Sequence, residues 1–432
     1  MPVSNRCGAF ARLSSPAAFD RRRHDFFCQD SAMISFARNF ISPSGSPIRE
    51  LFPYLNRPGM ISFAGGYPSP ELFDAEGLGQ AAAQALQDRV NSLQYGATEG
   101  SPALRGGIAE LLATRGIRSS AAEILVTTGS QQAFDLLIRV LIEPGDSVLI
   151  ETPAYPAAIQ ALRLAGANLL SVPTDEQGLD VAALEARLRE NPQEAPKLLY
   201  LVPSFSNPSG SLLSLARRRK LVELARRHGF LIVEDDPYGE LRFSDDALPT
   251  LYEIARQTQE EDAPVVYLSS LSKTVSPGLR IGWMVAAPEL YRRCAIAKQT
   301  ADLCTSTLAQ SVAAAYLQSG RYAASVARAS LEYHARMSAL VDALRGRLGT
   351  RLRLAPPQGG MFLWVENVAH VDAQALFHAG VRRGVLYVPG KAFYPDARQT
   401  GAMRLSFAAP KIPDIIEGVN RLAQAYEEVL GG

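Results

Sequence analysis

The chain has 432 residues, 47% hydrophobic and 20% charged, the balance of a globular protein with ample material for a buried core. Lys and Arg total 44 against 43 Asp and Glu, and the net charge of +1 gives no electrostatic attraction to nucleic acid or an anionic membrane. Small molecules are the expected partners, and Cys7, Cys28, Cys294 and Cys304, with neither Cys-x-x-Cys nor zinc-ligand spacing, read as reduced thiols of a cytoplasmic protein.

The first thirty or so residues carry Arg6, Arg12 and Arg21 to Arg23 without periodic pattern. They read either as a targeting presequence or as a solvated tail, with Met33 an alternative start. Asp20, Asp25 and Asp30 argue for the tail, since presequences are poor in acid. The expected division is a disordered tail over 1–32, a segment over 33–80 that packs on the C-terminal part, a large domain over 81–318 and a small one over 319–432.

From residue 80 onward, helical and strand-like patterns alternate. Residues 80–90 are Ala-rich and helical, 123–128 a buried strand, 131–141 a helix with apolar residues at three and four spacing, and 147–151 a strand. The rhythm repeats with a helix over 156–164, strands over 198–202, 230–234 and 265–268, and an Arg-studded amphipathic helix over 215–227. This predicts an α/β fold, a mostly parallel seven-stranded sheet flanked by helices. After Ala286, helical stretches over 288–300 and 307–348 give way to short strands at 361–365, 385–388 and 403–407, a smaller α+β unit. The apolar runs are far shorter than the roughly 20 residues of a membrane helix, so no membrane association is expected. The run Arg217 to Lys220 lies on an amphipathic helix and reads as a solvated face, not a nucleic-acid contact.

Lys273 follows an apolar strand inside Ser270-Leu-Ser-Lys273, with Arg280 seven residues on. Hydroxyls and a guanidinium suit a phosphate, and a confined amine beside them suits an aldehyde; pyridoxal phosphate is the cofactor that needs both. Gly129-Ser130-Gln131 stands where a strand turns into a helix, a phosphate site or an ordinary capped start. Tyr155, Asn207 and Asp235 each follow a further strand, where Tyr155 can lie on a cofactor ring, Asn207 can donate to a phenolate and Asp235 can pair with a protonated pyridine nitrogen. Taken singly, these are also a packing tyrosine, an Asn-Pro turn and one of three acids, Glu234, Asp235 and Asp236, any of which can be a solvated cap. All fall beyond the carboxyl ends of predicted parallel strands, where open α/β sheets bind ligands. Arg404 offers a fork for a carboxylate, or a surface ion pair.

Over about residues 34 to 430 the chain resembles the class I aminotransferases of fold type I, which depend on pyridoxal phosphate. The resemblance rests on Ser270-Leu-Ser-Lys273 with Arg280, Asp235-Asp-Pro-Tyr238, Ser206-Asn207-Pro-Ser-Gly210, Gly129-Ser-Gln131, Tyr95-Gly-Ala-Thr-Glu-Gly100 and Met403-Arg404-Leu-Ser-Phe407. Ile48-Arg49-Glu50-Leu51 and the stretch Ile61 to Glu71 resemble the 2-aminoadipate and kynurenine aminotransferase branch. It implies Lys273 as Schiff-base lysine and proton shuttle, Asp235 on the pyridine nitrogen, Asn207 and Tyr238 on the phenolate oxygen, and Tyr155 on the ring. It implies that Gly129, Ser130, Gln131, Ser270, Ser272 and Arg280 hold the phosphate, reached by Tyr95 from a partner subunit, so that the protein is a homodimer. Arg404 would bind the substrate carboxylate, with Asn207, Gly66 and Arg49 beside it; Arg49 is a candidate for a side-chain carboxylate or an orienter of the N-terminal segment. Some members carry a winged-helix unit ahead of this part, and thirty non-periodic residues are too few for one. The expected reaction moves an amino group from an L-amino acid to a 2-oxo acid; a lyase or decarboxylase on the same fold and a non-catalytic sensor are the alternatives.

Overall fold

The computed structural model describes residues 34–41, 45–55, 57–244, 246–257, 263–369 and 371–431. The expected tail over 1–32, with Cys7 and Cys28, lies outside them. The chain divides into two compact units, Met1–Ile41 and Ser42–Gly432. The described part of the first, residues 34–41, holds a short turn over Arg38–Phe40 and leaves Phe36, Phe40 and Ile41 exposed.

The second unit holds fourteen strands among the described residues: β1 (Ile61–Ser62), β2 (Ile124–Thr127), β3 (Ser147–Thr152), β4 (Asn168–Asp175), β5 (Gly178–Leu179), β6 (Leu198–Leu201), β7 (Leu231–Asp235), β8 (Val265–Ser270), β9 (Gly282–Val285), β10 (Leu352–Leu354), β11 (Phe362–Asn367), β12 (Val385–Leu386), β13 (Val388–Pro389) and β14 (Ala402–Ser406). The large sheet runs β2-β9-β8-β7-β6-β3-β4-β5, seven longer strands as the sequence predicts plus the two-residue β5 at the edge. Pairings from β4 through β3, β6 and β7 to β8 are parallel, and β9 lies antiparallel between β8 and β2. Its central strands are buried on both faces, and alternate residues feed two cores: Leu198, Tyr200 and Val202 one, Leu199 and Leu201 the other.

The structure differs from the sequence reading in several places. The helix expected over 80–90 is two, Ala75–Ala85 and Arg89–Leu93, because Asp88 caps the second by accepting from the Asn91 N–H at 3.1 Å. The stretch 307–348 breaks at Gly320, whose φ of 74° ends one helix, Thr307–Gln318, and starts another, Arg321–Leu348. Residues 385–388 split between two sheets, β12 pairing with β1 and β13 with β14. Finally, Arg218 does not share the solvated face of its neighbours: it is buried, donating to the carbonyls of Leu213 (2.9 Å) and Pro203 (3.1 Å) and to Ser204 Oγ (3.0 Å). Arg217, in contrast, pairs with Asp175 at the surface.

A four-stranded antiparallel sheet, β10-β11-β14-β13, carries Arg404. The chain from β1 onward is strapped to it: Ser406 N–H donates to the Phe63 carbonyl at 2.7 Å, and buried Arg336 ties Glu71 (2.6 Å) to the Ala408 carbonyl (2.6 Å). That strap delivers residues 64–67 to the carboxyl edge of the large sheet. Among the described residues, no helix is long and apolar enough to cross a membrane, and no cluster of metal-ligating side chains occurs.

Arg218 braces the loop that follows β6 and stands 3.8 Å from the fully buried Glu234. Arg218→Met is expected to lower the unfolding free energy by about 3 kcal/mol, since it orphans buried acceptors and leaves a buried carboxylate unpaired. Urea denaturation tests this, and an unchanged midpoint would show that the loop is held by other contacts.

Candidate active site

Five turns at the carboxyl edge of the large sheet, with the strap and β14, enclose a cavity of about 340 Å³. Gly129, Ser130 and Gln131 line it after β2, Tyr155 after β3, Asn207 after β6, Asp235 and Tyr238 from β7, and Ser270, Ser272, Lys273 and Arg280 from the turn between β8 and β9. Gly66 enters from the strap and Arg404 from β14. Tyr95, expected at a partner's phosphate site, and Arg49, a candidate beside the substrate, do not line this cavity. Tyr95 is 80% exposed and does not reach the cavity of its own chain, and Arg49 is exposed while its neighbours Ile48 and Leu51 form cavity wall.

The turn into the helix Ser130–Leu141 is an anion cradle. Gly129 takes a φ of 81°, and a Cβ there would stand 2.5 Å from an Arg280 nitrogen. A Cβ on Gly282 at the start of β9 would meet the Gly129 carbonyl carbon at 2.4 Å and Ser130 N at 2.5 Å. The close approach of these strands therefore aims the free N–H groups of the helix start at one point, beside the Ser270 and Ser272 hydroxyls (2.7 Å apart) and the Arg280 guanidinium, which donates to the Thr128 carbonyl at 3.1 Å. The helix Pro288–Ala301 braces the turn from behind. Its fully buried Lys298 holds Asp302 at 2.7 Å and Gln132 Oε1 at 3.2 Å, and Gln132 accepts from the Thr128 N–H at 2.7 Å.

The three consecutive acids at the end of β7 turn out to be buried, and each has a separate partner. Glu234 accepts from the N–H groups of Leu251 (2.9 Å) and Tyr252 (2.8 Å) at a helix start, and burial pushes it up to about 7. Asp236 pairs with Arg115. Asp235 faces the cavity: its Oδ2 accepts from the Tyr200 hydroxyl at 2.7 Å, while Oδ1 is buried without a hydrogen-bond partner. Burial pushes this carboxyl up to about 6, against the pull of the Tyr200 bond. An orphaned carboxylate oxygen of this kind calls for a cationic donor in the cavity.

Lys273 Nζ donates to the Gly66 carbonyl at 2.8 Å, and burial, with the charges of Arg404 and Arg280, brings its amine down to about 8. Arg404 lies in an aromatic slot, its guanidinium carbon 4.3 Å from the Phe362 ring centre and 5.2 Å from that of Phe393. It donates to Asn207 Oδ1 at 2.8 Å and to the Ala64 carbonyl at 2.6 Å, and among the described residues it has no ion pair. Burial lowers it to about 10. The phenols of Tyr155 and Tyr238 are pushed up by burial, so both are neutral donors. Amine, anion cradle and unpaired acid fit a phosphorylated pyridine aldehyde.

The family model for aminotransferase class I and II matches residues 65–422. This chain belongs to that family. A 2-aminoadipate transaminase of Thermus thermophilus is 41% identical over 89% of the chain and 94% of its own length. An aromatic-amino-acid aminotransferase of Thermococcus litoralis is 37% identical over 91% and 94%. Among solved structures, an alpha-aminoadipate aminotransferase of Thermus thermophilus complexed with N-(5'-phosphopyridoxyl)-L-leucine superposes with a TM-score of 0.84 at 40% identity, covering 92% of this chain and 98% of that one. The fold is therefore that of the fold type I aminotransferases, and pyridoxal phosphate is the cofactor.

Sequence reasoning about this aminotransferase missed Tyr200, which sits inside an apolar run, and the wall formed by Ile48, Leu51 and Leu55, whose spacing of three and four residues was a readable helical signal. It also missed Glu151, buried at the end of β3, which accepts from the Val202 N–H (2.8 Å) and Ser206 Oγ (3.1 Å) and so steadies the loop that carries Asn207.

Gly282→Ala is expected to displace the Gly129–Ser130 turn and weaken pyridoxal phosphate binding at least about tenfold, read by absorbance titration of the cofactor-free protein; undiminished affinity would mean the cradle tolerates the shift. In the same cofactor-free protein, acylation of Lys273 should rise with a midpoint at pH about 8, well below the 10.5 of an ordinary lysine, because burial favours the neutral amine. Peptide mapping across pH gives that midpoint.

Proposed function

We propose that this aminotransferase moves the amino group of an L-amino acid, aromatic, 2-aminoadipate-like or branched aliphatic, to a 2-oxo acid such as 2-oxoglutarate. The observation that carries the reading is the meeting of Lys273 from the large sheet and Arg404 from the small one in a single cavity, with the open oxygen of Asp235 in its wall. Ile48, Leu51, Leu55 and Tyr67 offer an apolar face to a donor side chain. Arg49, on the turn that bears Ile48, is the cation we assign to the distal carboxylate of an acidic donor.

In this reading Ser130, Gln131, Ser270, Ser272 and Arg280 hold the phosphate, Tyr155 covers the ring, and Asn207 and Tyr238 donate to its phenolate oxygen. Asp235 Oδ1 would take the ring nitrogen's N–H and favour its protonated form. Pyridoxal phosphate, when bound, supplies the conjugated ring that accepts the electron pair left at the α-carbon. Arg404 takes the substrate carboxylate in its fork, exchanging a carbonyl partner for a charged one, and so presents the α-hydrogen to Lys273. Lys273 Nζ carries that proton, and its lowered basicity, about 8 against 10.5 for an ordinary lysine, makes far more of the amine available as a base near neutrality. Because both substrates need the same guanidinium, the first product must leave before the second substrate enters, which makes the cycle ping-pong.

Residues 81–318 are assigned to the cofactor and 319–432 to the substrate carboxylate, with Ile48, Leu51, Leu55 and residues 64–67 closing the site. We assign the protein to the cytoplasm as a homodimer. Val90, Leu93 and Tyr95, 74%, 60% and 80% exposed, form an apolar surface that a second copy would cover while taking Tyr95 into its own phosphate site.

Single amino acids added without an oxo acid should shift the visible absorbance of the holoenzyme, and the donors that do so name the substrate class; an unresponsive holoenzyme would remove the transaminase reading. Lys273→Ala should abolish that shift in a protein that still folds. Arg404→Ala should raise the KM of every donor about 100-fold, whereas Arg49→Ala should raise it only for acidic donors. Steady-state kinetics over a donor panel separates the two.

A further inference from the structure

Tyr200 lies on β6, next to β7 and on the sheet face that carries Asp235. Its ring is core material: it is 1% exposed and packs on Phe134 with ring centres 4.6 Å apart. A phenylalanine would fill that space equally well. What the tyrosine adds is one hydroxyl, buried where no solvent can satisfy it, and that hydroxyl donates to Asp235 Oδ2 at 2.7 Å. The bond divides the carboxylate. One oxygen is bound from behind, the other is left unpartnered toward the cavity.

We propose that Tyr200 is a positioning residue for the cofactor: its hydroxyl fixes the Asp235 carboxylate so that Oδ1 meets the ring nitrogen. The inference rests on the assignment of Asp235 to that nitrogen. A carboxylate on a single bond can rotate about its last torsion, and in the two-fold well of that torsion both oxygens are equivalent. A donor on one of them removes the equivalence and holds the plane. The same bond keeps the buried acid ionised, since it is the largest influence pulling Asp235 down against burial. Glu151, whose carboxyl burial pushes up to about 8, is largely neutral at pH 7 and so adds little competing negative charge beside this pair.

The test compares cofactor-free proteins binding pyridoxal phosphate and its analogue with C–H in place of the ring nitrogen, each by absorbance titration. The wild type should prefer the natural cofactor. Tyr200→Phe should cut that preference about tenfold, leaving affinity for the analogue within about twofold, because only the nitrogen feels the change. Phe134→Leu, which disturbs the ring packing but keeps the hydroxyl, should leave the preference intact. Equal weakening of both ligands in Tyr200→Phe would show a purely structural tyrosine and overturn the proposal, as would an unchanged preference or the same loss in Phe134→Leu. A wild type that shows no preference would instead overturn the Asp235 assignment, and one that binds neither compound would overturn the cofactor assignment; the positioning role would fall with either.

Discussion

A carboxylate with half its bonding capacity open, buried at the end of a central strand, is the constraint around which this protein is arranged. Asp235 is buried, and a bare ionised acid in that place would be strongly unfavourable. The neighbours offset part of that cost, Tyr200 and Ser130 through their hydroxyls and Lys273 through its charge. The remainder is left for a cation brought by the ligand. In the proposed reading, binding and catalysis use the same unsatisfied group, and the protein need not reorganise when charge develops on the ring.

The parallel strands explain why so many functional groups meet near that acid. Each strand that ends at the carboxyl edge presents one turn to the same cavity, so residues distant in sequence meet without any long-range search for geometry. Burial then tunes them in opposite senses, raising the acid and lowering the amine, so that both work near neutrality. The antiparallel β9 is the exception, and it serves the cradle by running flush against Gly129.

Much of this was legible in the sequence. Lys273, Arg280, Asp235, Asn207 and the turn at Gly129 belong to chemically restrictive patterns at strand ends, and strand ends follow from hydrophobic runs. What escaped lacked such marks. β4 is half exposed and contains Pro173, so it carries no continuous apolar run, and β9 is hidden inside a motif already read for its chemistry. Arg218 sits within a basic run, and composition cannot tell the one guanidinium turned inward, onto carbonyls of a distant loop, from those turned outward. Which of the acids 234, 235 and 236 faces the cavity depends on strand pleat and on Arg115, contributed by an element more than a hundred residues earlier. Tyr95 and Arg49 are a different case, since the single chain leaves both on its surface.

The strap over residues 61–71 is held to the small sheet by Phe63, Arg336 and Ser406, whereas the lysine, the acid and the anion cradle hang from the large sheet. Reaction and selectivity are thereby written on separate pieces of chain with separate anchors. A change among Ile48, Leu51, Leu55 or Tyr67 alters what the wall accepts without touching a strand that aligns the reacting groups. In that reading the donor range is free to drift by small steps while the chemistry stays constant, and the wall over residues 48–55 with the strap is the natural place to redesign the enzyme for a new amine.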